Sequence, residues 1–179
     1  MMILTGPEIT TAVADGRVCI DPFNVGQVNP NSYNVCLGET LLIYTERVID
    51  ACRPNSTRTQ RIPDSGYELQ PGELYLGHTQ ERVGSDIFVP LLFGRSSVGR
   101  LGLFVEITAP VGDIGFHGQW TLMLSPVRPL RVYAGMKIGQ IMFFVSVGPV
   151  DLYHGKYQAA RGPQPSGYWR DSEIRVVAS

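Results

Sequence analysis

The chain has 179 residues, 44% hydrophobic and 17% charged, and a net charge of −1. That length allows one domain, 1-179, burying roughly 70% of the surface its unfolded form exposes. The near-neutral charge excludes a global basic field able to hold a nucleic-acid backbone, so any phosphate binding must come from a local pocket. No apolar run reaches the roughly 18 residues of a membrane span, and the start lacks a basic region ahead of an apolar one. Neither nucleic acid nor a membrane is therefore expected as a partner, and a cytoplasmic location is. Cys19, Cys36 and Cys52, odd in number and widely spaced, read as free thiols.

With 20 glycines and 13 prolines, the composition favours many short strands over long helices. Thr5-Gly6-Pro7-Glu8 reads as a capping box opening a short helix, with Leu4 and Ile9 as a hydrophobic staple and Gly16 as the stop. Asn29 to Gly38 is a turn into a strand whose Tyr33, Val35 and Leu37 share one face. A further strand is expected at 41–44, an exposed excursion at 50–66, and a turn at Gln70-Pro71-Gly72-Glu73 leading into a strand from Leu74 to Thr79. More strands follow at 87–93, 101–108, 119–124, 130–133 and 138–147, separated by turn signals. The fold class is all-β, a jelly-roll or barrel-like stack of sheets with a short N-terminal helix.

The densest chemistry lies between residues 94 and 119. Gly94, Gly99 and Gly102 permit close approach of the backbone, and among them stand Arg95, Ser96, Ser97 and Arg100, a set of anion ligands. Beyond an apolar run comes Asp113 in a glycine-flanked turn, followed by Phe116, Gly118 and Gln119. Glu106 sits in the strand between, either on a solvated face or directed toward the site. His117 is most simply a turn residue. The tail from Gly155 carries Lys156, Arg161 and Ser166 along a Gly- and Pro-rich stretch, which is either a loose terminus or a closing segment. A zinc-type nucleobase deaminase is excluded, because neither His-x-Glu nor Pro-Cys-x-x-Cys occurs.

The string Gly94-Arg95-Ser96-Ser97-Val98-Gly99-Arg100-Leu101-Gly102-Leu103 and the tail Tyr153-His-Gly-Lys156-Tyr157-Gln-Ala-Ala160-Arg161-Gly-Pro-Gln-Pro-Ser166 together resemble the trimeric dCTP deaminase and dUTPase superfamily, closest to its deaminase branch. Asn29 to Tyr33 and Ala134 to Gln140 are also in register. The resemblance implies a distorted jelly roll of the trimeric dUTPase type, a homotrimer, and a deoxyribonucleoside triphosphate bound with Mg²⁺, which is carried by the phosphates. It implies triphosphate and metal-water contacts from Arg95, Ser96, Ser97 and Arg100, a sugar contact from Asp113, and phosphate contacts from Tyr153 and Lys156. Thr121, Met123 and Arg161 fall at further substrate-binding positions, and residues 155-179 are expected to close over the nucleotide.

Three departures bear on the base. Met123 stands where the family pattern Leu-Glu has its proton-carrying glutamate, and Ala160 replaces the tail glutamine. Gly112 and Ile114 replace an apolar residue and proline beside the aspartate. A thioether carries no proton, and general acid–base catalysis is worth roughly 10²–10⁴ in rate. These departures leave three readings open. The first is a dNTP diphosphohydrolase in which Asp113 orients water. The second is a deaminase of dCTP, or of a modified dCTP, using a relocated carboxylate such as Glu106, and the third a non-catalytic regulatory trimer.

Overall fold

The computed structural model describes residues 2–105 and 108–171. Helix α1 (Gly6–Ala14) is followed by strands β1 (Cys19–Asp21), β2 (Val28–Asn29), β3 (Ser32–Cys36), β4 (Thr40–Tyr44), β5 (Thr57–Arg61), β6 (Tyr67–Leu69), β7 (Tyr75–Gly84) and β8 (Phe88–Gly94). A single helical turn, α2 (Ser96–Gly99), then leads to β9 (Leu103–Val105), β10 (His117–Pro126), β11 (Leu130–Val132) and β12 (Lys137–Val145).

One sheet runs β5-β4-β7-β10-β9 with β1 also on β7, a second runs β2-β3-β12-β8, and β6 with β11 forms a separate two-stranded antiparallel sheet. The described strands leave these sheets open, without closure into a barrel. Side chains of both larger sheets share one core, with Tyr33, Leu37, Leu41, Leu92, Leu122, Ile141 and Phe143 all but sealed from water. No helix among the described residues is long and apolar enough to cross a membrane.

Local chemistry accounts for most elements and corrects some expectations. The helix starts after Thr5 as expected, but no side chain caps it. Arg17 Nη2 claims the Glu8 carboxylate at 2.9 Å, which draws it away from the Thr5 amide. Gly16 supplies the left-handed stop at φ 74°. Within the expected excursion, Thr57 to Arg61 pairs residue for residue with β4. The strand is polar because it is the outer edge of its sheet, where alternation need not bury anything. In β3 both faces are buried, so Asn34 and Cys36 are interior along with Tyr33 and Val35. Asn34 Nδ2 donates to the Gln27 carbonyl at 3.1 Å, while Gln27 Nε2 (2.8 Å) and the Cys36 amide (2.9 Å) both donate to Glu81. Burial, and then the Glu81 carboxylate, push the Cys36 thiol up to about 11. Burial likewise pushes the Tyr33 phenol up to about 12. His117 is not a turn residue but opens β10, and its Nε2 lies 2.8 Å from Asp86 Oδ1.

Candidate active site

β8 ends at Gly94, paired with Gly139 of β12, and the chain turns at once into α2. Val98 is buried and anchors that turn, which leaves Ser96, Ser97 and Arg100 exposed on its outer side. Arg95 is half-buried, its Nη1 donating to the Lys137 carbonyl at 3.2 Å. The cradle therefore holds two guanidinium groups and two hydroxyls. Among the described residues no cluster of His, Cys, Asp and Glu could cage a metal. This donor set would suit phosphate oxygens that carry Mg²⁺ with its waters.

The second half of the site is built on β10, whose alternation buries Gly118, Trp120, Leu122 and Leu124. Gln119, Thr121 and Met123 consequently share the opposite face. That face forms one wall of a cavity of about 380 Å³, which Leu76, Asp113, Phe116, Trp120, Tyr153 and Tyr157 help to line. Tyr153, Phe116 and Trp120 stand in file, edge to face, with ring centroids 5.9 and 5.8 Å apart. Asp113 is exposed at the mouth and is the one carboxylate among the described lining residues.

The tail makes the roof. Ala160, Gln164 and Ser166 line the cavity from above. From Gln158 to Ser166 the tail is held to the body of the chain, with Gln158 Nε2 donating to the Gly115 carbonyl (2.6 Å) and the Ser166 amide to the Tyr44 hydroxyl (2.9 Å). Gly115, at φ 94°, brings the turn after Asp113 so close that a Cβ there would lie 2.7 Å from the Tyr153 amide nitrogen.

Of the residues singled out from the sequence, Asp113, Thr121, Met123 and Tyr153 meet in this cavity, whereas Arg95, Ser96, Ser97, Arg100, Lys156 and Arg161 do not line it. Lys156 instead donates to Asp171, which raises its pKa. Arg161 is exposed, and its carbonyl accepts from Gln164 Nε2 at 2.9 Å. Glu106 lies outside the described residues. Trp120 and Gln164 are among the lining residues to which sequence reasoning gave no role, and Gln119 was named there only as part of the turn after Asp113. Its position on the wall was within reach of such reasoning, since period-two alternation places it on the face of Thr121 and Met123.

The profile of the dCTP deaminase-like family matches residues 3–146. The chain belongs to that family. A relative from Leptospira biflexa serovar Patoc, described as a dUMP-forming dCTP deaminase, is 49% identical over 96% of this chain and 99% of its own length. A protein of the same description from Clostridium acetobutylicum is 47% identical over 95% of this chain and 98% of its own. Among solved structures, the 2'-deoxycytidine 5'-triphosphate deaminase of Agrobacterium tumefaciens shares the fold, with a TM-score of 0.64 and 21% identity over 80% of this chain. The matched part is 48% of that longer chain. In this member of the dCTP deaminase-like family, the Met123 side chain lies on the cavity wall.

Proposed function

We propose that the chain acts on deoxycytidine triphosphate, exchanging the C4 amino group for oxygen from one water with release of ammonia, and hydrolysing the bond between the α and β phosphates with a second water to leave dUMP and pyrophosphate. The observation that carries this reading is the cavity roofed by the tail, in a chain 49% identical to a dUMP-forming dCTP deaminase. Its aromatic file and apolar walls match a base, and Asp113 at the mouth matches a sugar hydroxyl. Arg95, Ser96, Ser97 and Arg100 match a triphosphate carrying Mg²⁺. Since those four do not line their own chain's cavity, each site takes its cradle from a second copy, in a homotrimer. Lys156, Tyr153 and Arg161 approach the phosphates from the tail.

Deamination needs a proton carrier, and Glu106 takes that role in this reading. It follows Val105 in the chain, and Val105 pairs with Leu124, the neighbour of Met123. A second reading draws on Met123 itself. With a thioether at the glutamate position, Asp113 would orient water for diphosphate hydrolysis of a dUTP-like nucleotide, and no base would be deaminated.

The test is incubation with dCTP or dUTP plus Mg²⁺, with bases and phosphates resolved separately. Conversion of dCTP to dUMP with ammonia and pyrophosphate is the expected result. Turnover of dUTP alone would establish the second reading, and turnover of neither nucleotide would sink both.

A further inference from the structure

We propose that Gln119 and Thr121 are positioning residues that hold the roof of the cavity shut, and that the side chain at 119 sets how firmly it closes. Among the described residues, β10 pairs with β9 from Leu124 to Pro126, and from His117 to Thr121 that edge of β10 meets no described strand. The tail lies along that edge. Its first bonds are strand-like, from the Ala159 amide to the His117 carbonyl (3.1 Å) and from the Gln119 amide to the Ala160 carbonyl (2.9 Å). Side chains of the wall take two further tail amides. Gly162 N donates to Gln119 Oε1 at 2.6 Å, and Gln164 N donates to Thr121 Oγ1 at 2.9 Å. Gln119 Nε2 is itself anchored on the Gln80 carbonyl at 3.0 Å, which orients the amide with its oxygen toward the tail. Both ends of that amide are thus committed to structure.

An independent observation marks the docking as built. A Cβ at Gly118 would lie 2.9 Å from the Ala160 nitrogen and 3.1 Å from the Ala160 oxygen, so strand and tail approach at a distance that glycine allows. Pro163, between the two latched amides, is buried. Lifting the roof away from the wall breaks both side-chain bonds, which makes them a control on how far the roof opens.

The latch is tested on the full chain without ligand, by amide hydrogen exchange at Gly162 and Gln164 and by trypsin cleavage after Arg161. Gln119→Ala is expected to speed exchange at Gly162 by about two- to tenfold, the worth of one net hydrogen bond. Gln119→Glu keeps an acceptor oxygen and should fall closer to the parent. Thr121→Val, of equal shape, should loosen Gln164 and carries the test if Gln119→Ala does not fold. Unchanged exchange and cleavage in both Gln119→Ala and Thr121→Val would overturn the proposal.

The kinetic consequence rests on the proposed activity: KM should rise about two- to tenfold in Gln119→Ala with a smaller change in kcat. If the parent protein turns over neither dCTP nor dUTP, that activity fails while hydrogen exchange still decides the latch.

Discussion

At the scale of single residues, the chemistry turns on which group moves protons. Met123 lines the cavity but carries no exchangeable proton, so the deaminase reading places the burden on Glu106. Glu106→Gln is accordingly expected to lower dCTP deamination by about 10²-fold or more, and Met123→Glu in that background to restore part of it. Base-resolved chromatography decides the matter, and full activity in Glu106→Gln would remove Glu106 from the mechanism. His78 makes a different residue-level prediction. It is buried, its Nδ1 lies 2.9 Å from the Thr79 carbonyl, and its ring packs so closely on Gly38 that a Cβ there would come within 2.0 Å. Burial lowers its pKa below the ordinary value of 6.5. The folded state therefore favours neutral imidazole, and the associated stability is complete above about pH 6.5. It is lost as the pH falls through the depressed folded value, because the unfolded chain takes up its proton first. Thermal melts from pH 7.5 downward should show a shallower loss in His78→Gln than in the parent.

At the scale of elements, β10 performs three tasks that its two-residue period keeps separate. One face fills the core, the other walls the cavity, and one edge receives the tail. The pairing of Gly112 with Trp120 shows how the turn beside Asp113 is accommodated. A Cβ at Gly112 would lie 2.2 Å from Trp120 Cη2, and the indole Nε1 is fixed to the Val83 carbonyl at 3.2 Å. The large indole occupies the space that a side chain at 112 would need, so Gly112 and Trp120 form a matched pair. Gly112→Ala should cost about 1–3 kcal/mol by overpacking, whereas the same change in a Trp120→Leu background should cost less than about 1 kcal/mol. Equal costs in the two backgrounds, measured by denaturant unfolding, would show that the indole is not the obstacle.

At the scale of the whole molecule, Arg95, Ser96, Ser97 and Arg100 stand outside the lining of the cavity in their own chain. Arg100 is exposed on α2, and Lys156 is exposed on the tail. In the trimeric reading these groups meet across a subunit boundary. Neither Arg100→Ala nor Lys156→Ala alone should then retain full triphosphate affinity, the loss being about ten- to a hundredfold for a charge-assisted bond. Subunit exchange between the two variants should regenerate a fraction of sites carrying both groups, detectable by calorimetry with a dNTP. No recovery after verified exchange would place both groups in the same chain's site, or outside any site.

The amino-acid sequence by itself determined the family and the order and most extents of the strands, and it singled out Asp113, Met123 and Ala160, which the fold gathers around one cavity. These are local matters. Alternation reports which side of a strand is buried, and glycines beside cations and hydroxyls report a loop able to meet phosphate. The tertiary structure alone decided features that join distant positions. The polar run at 57–61 became a strand because β4 offered it an edge, and Glu8 left its cap because Arg17 folds back upon it. Gln119 became a latch because a segment some 40 positions later lies against it. Each of these turns on a free edge or an unpaired donor meeting its complement in space, and the spacing of residues along a chain carries no record of such a meeting.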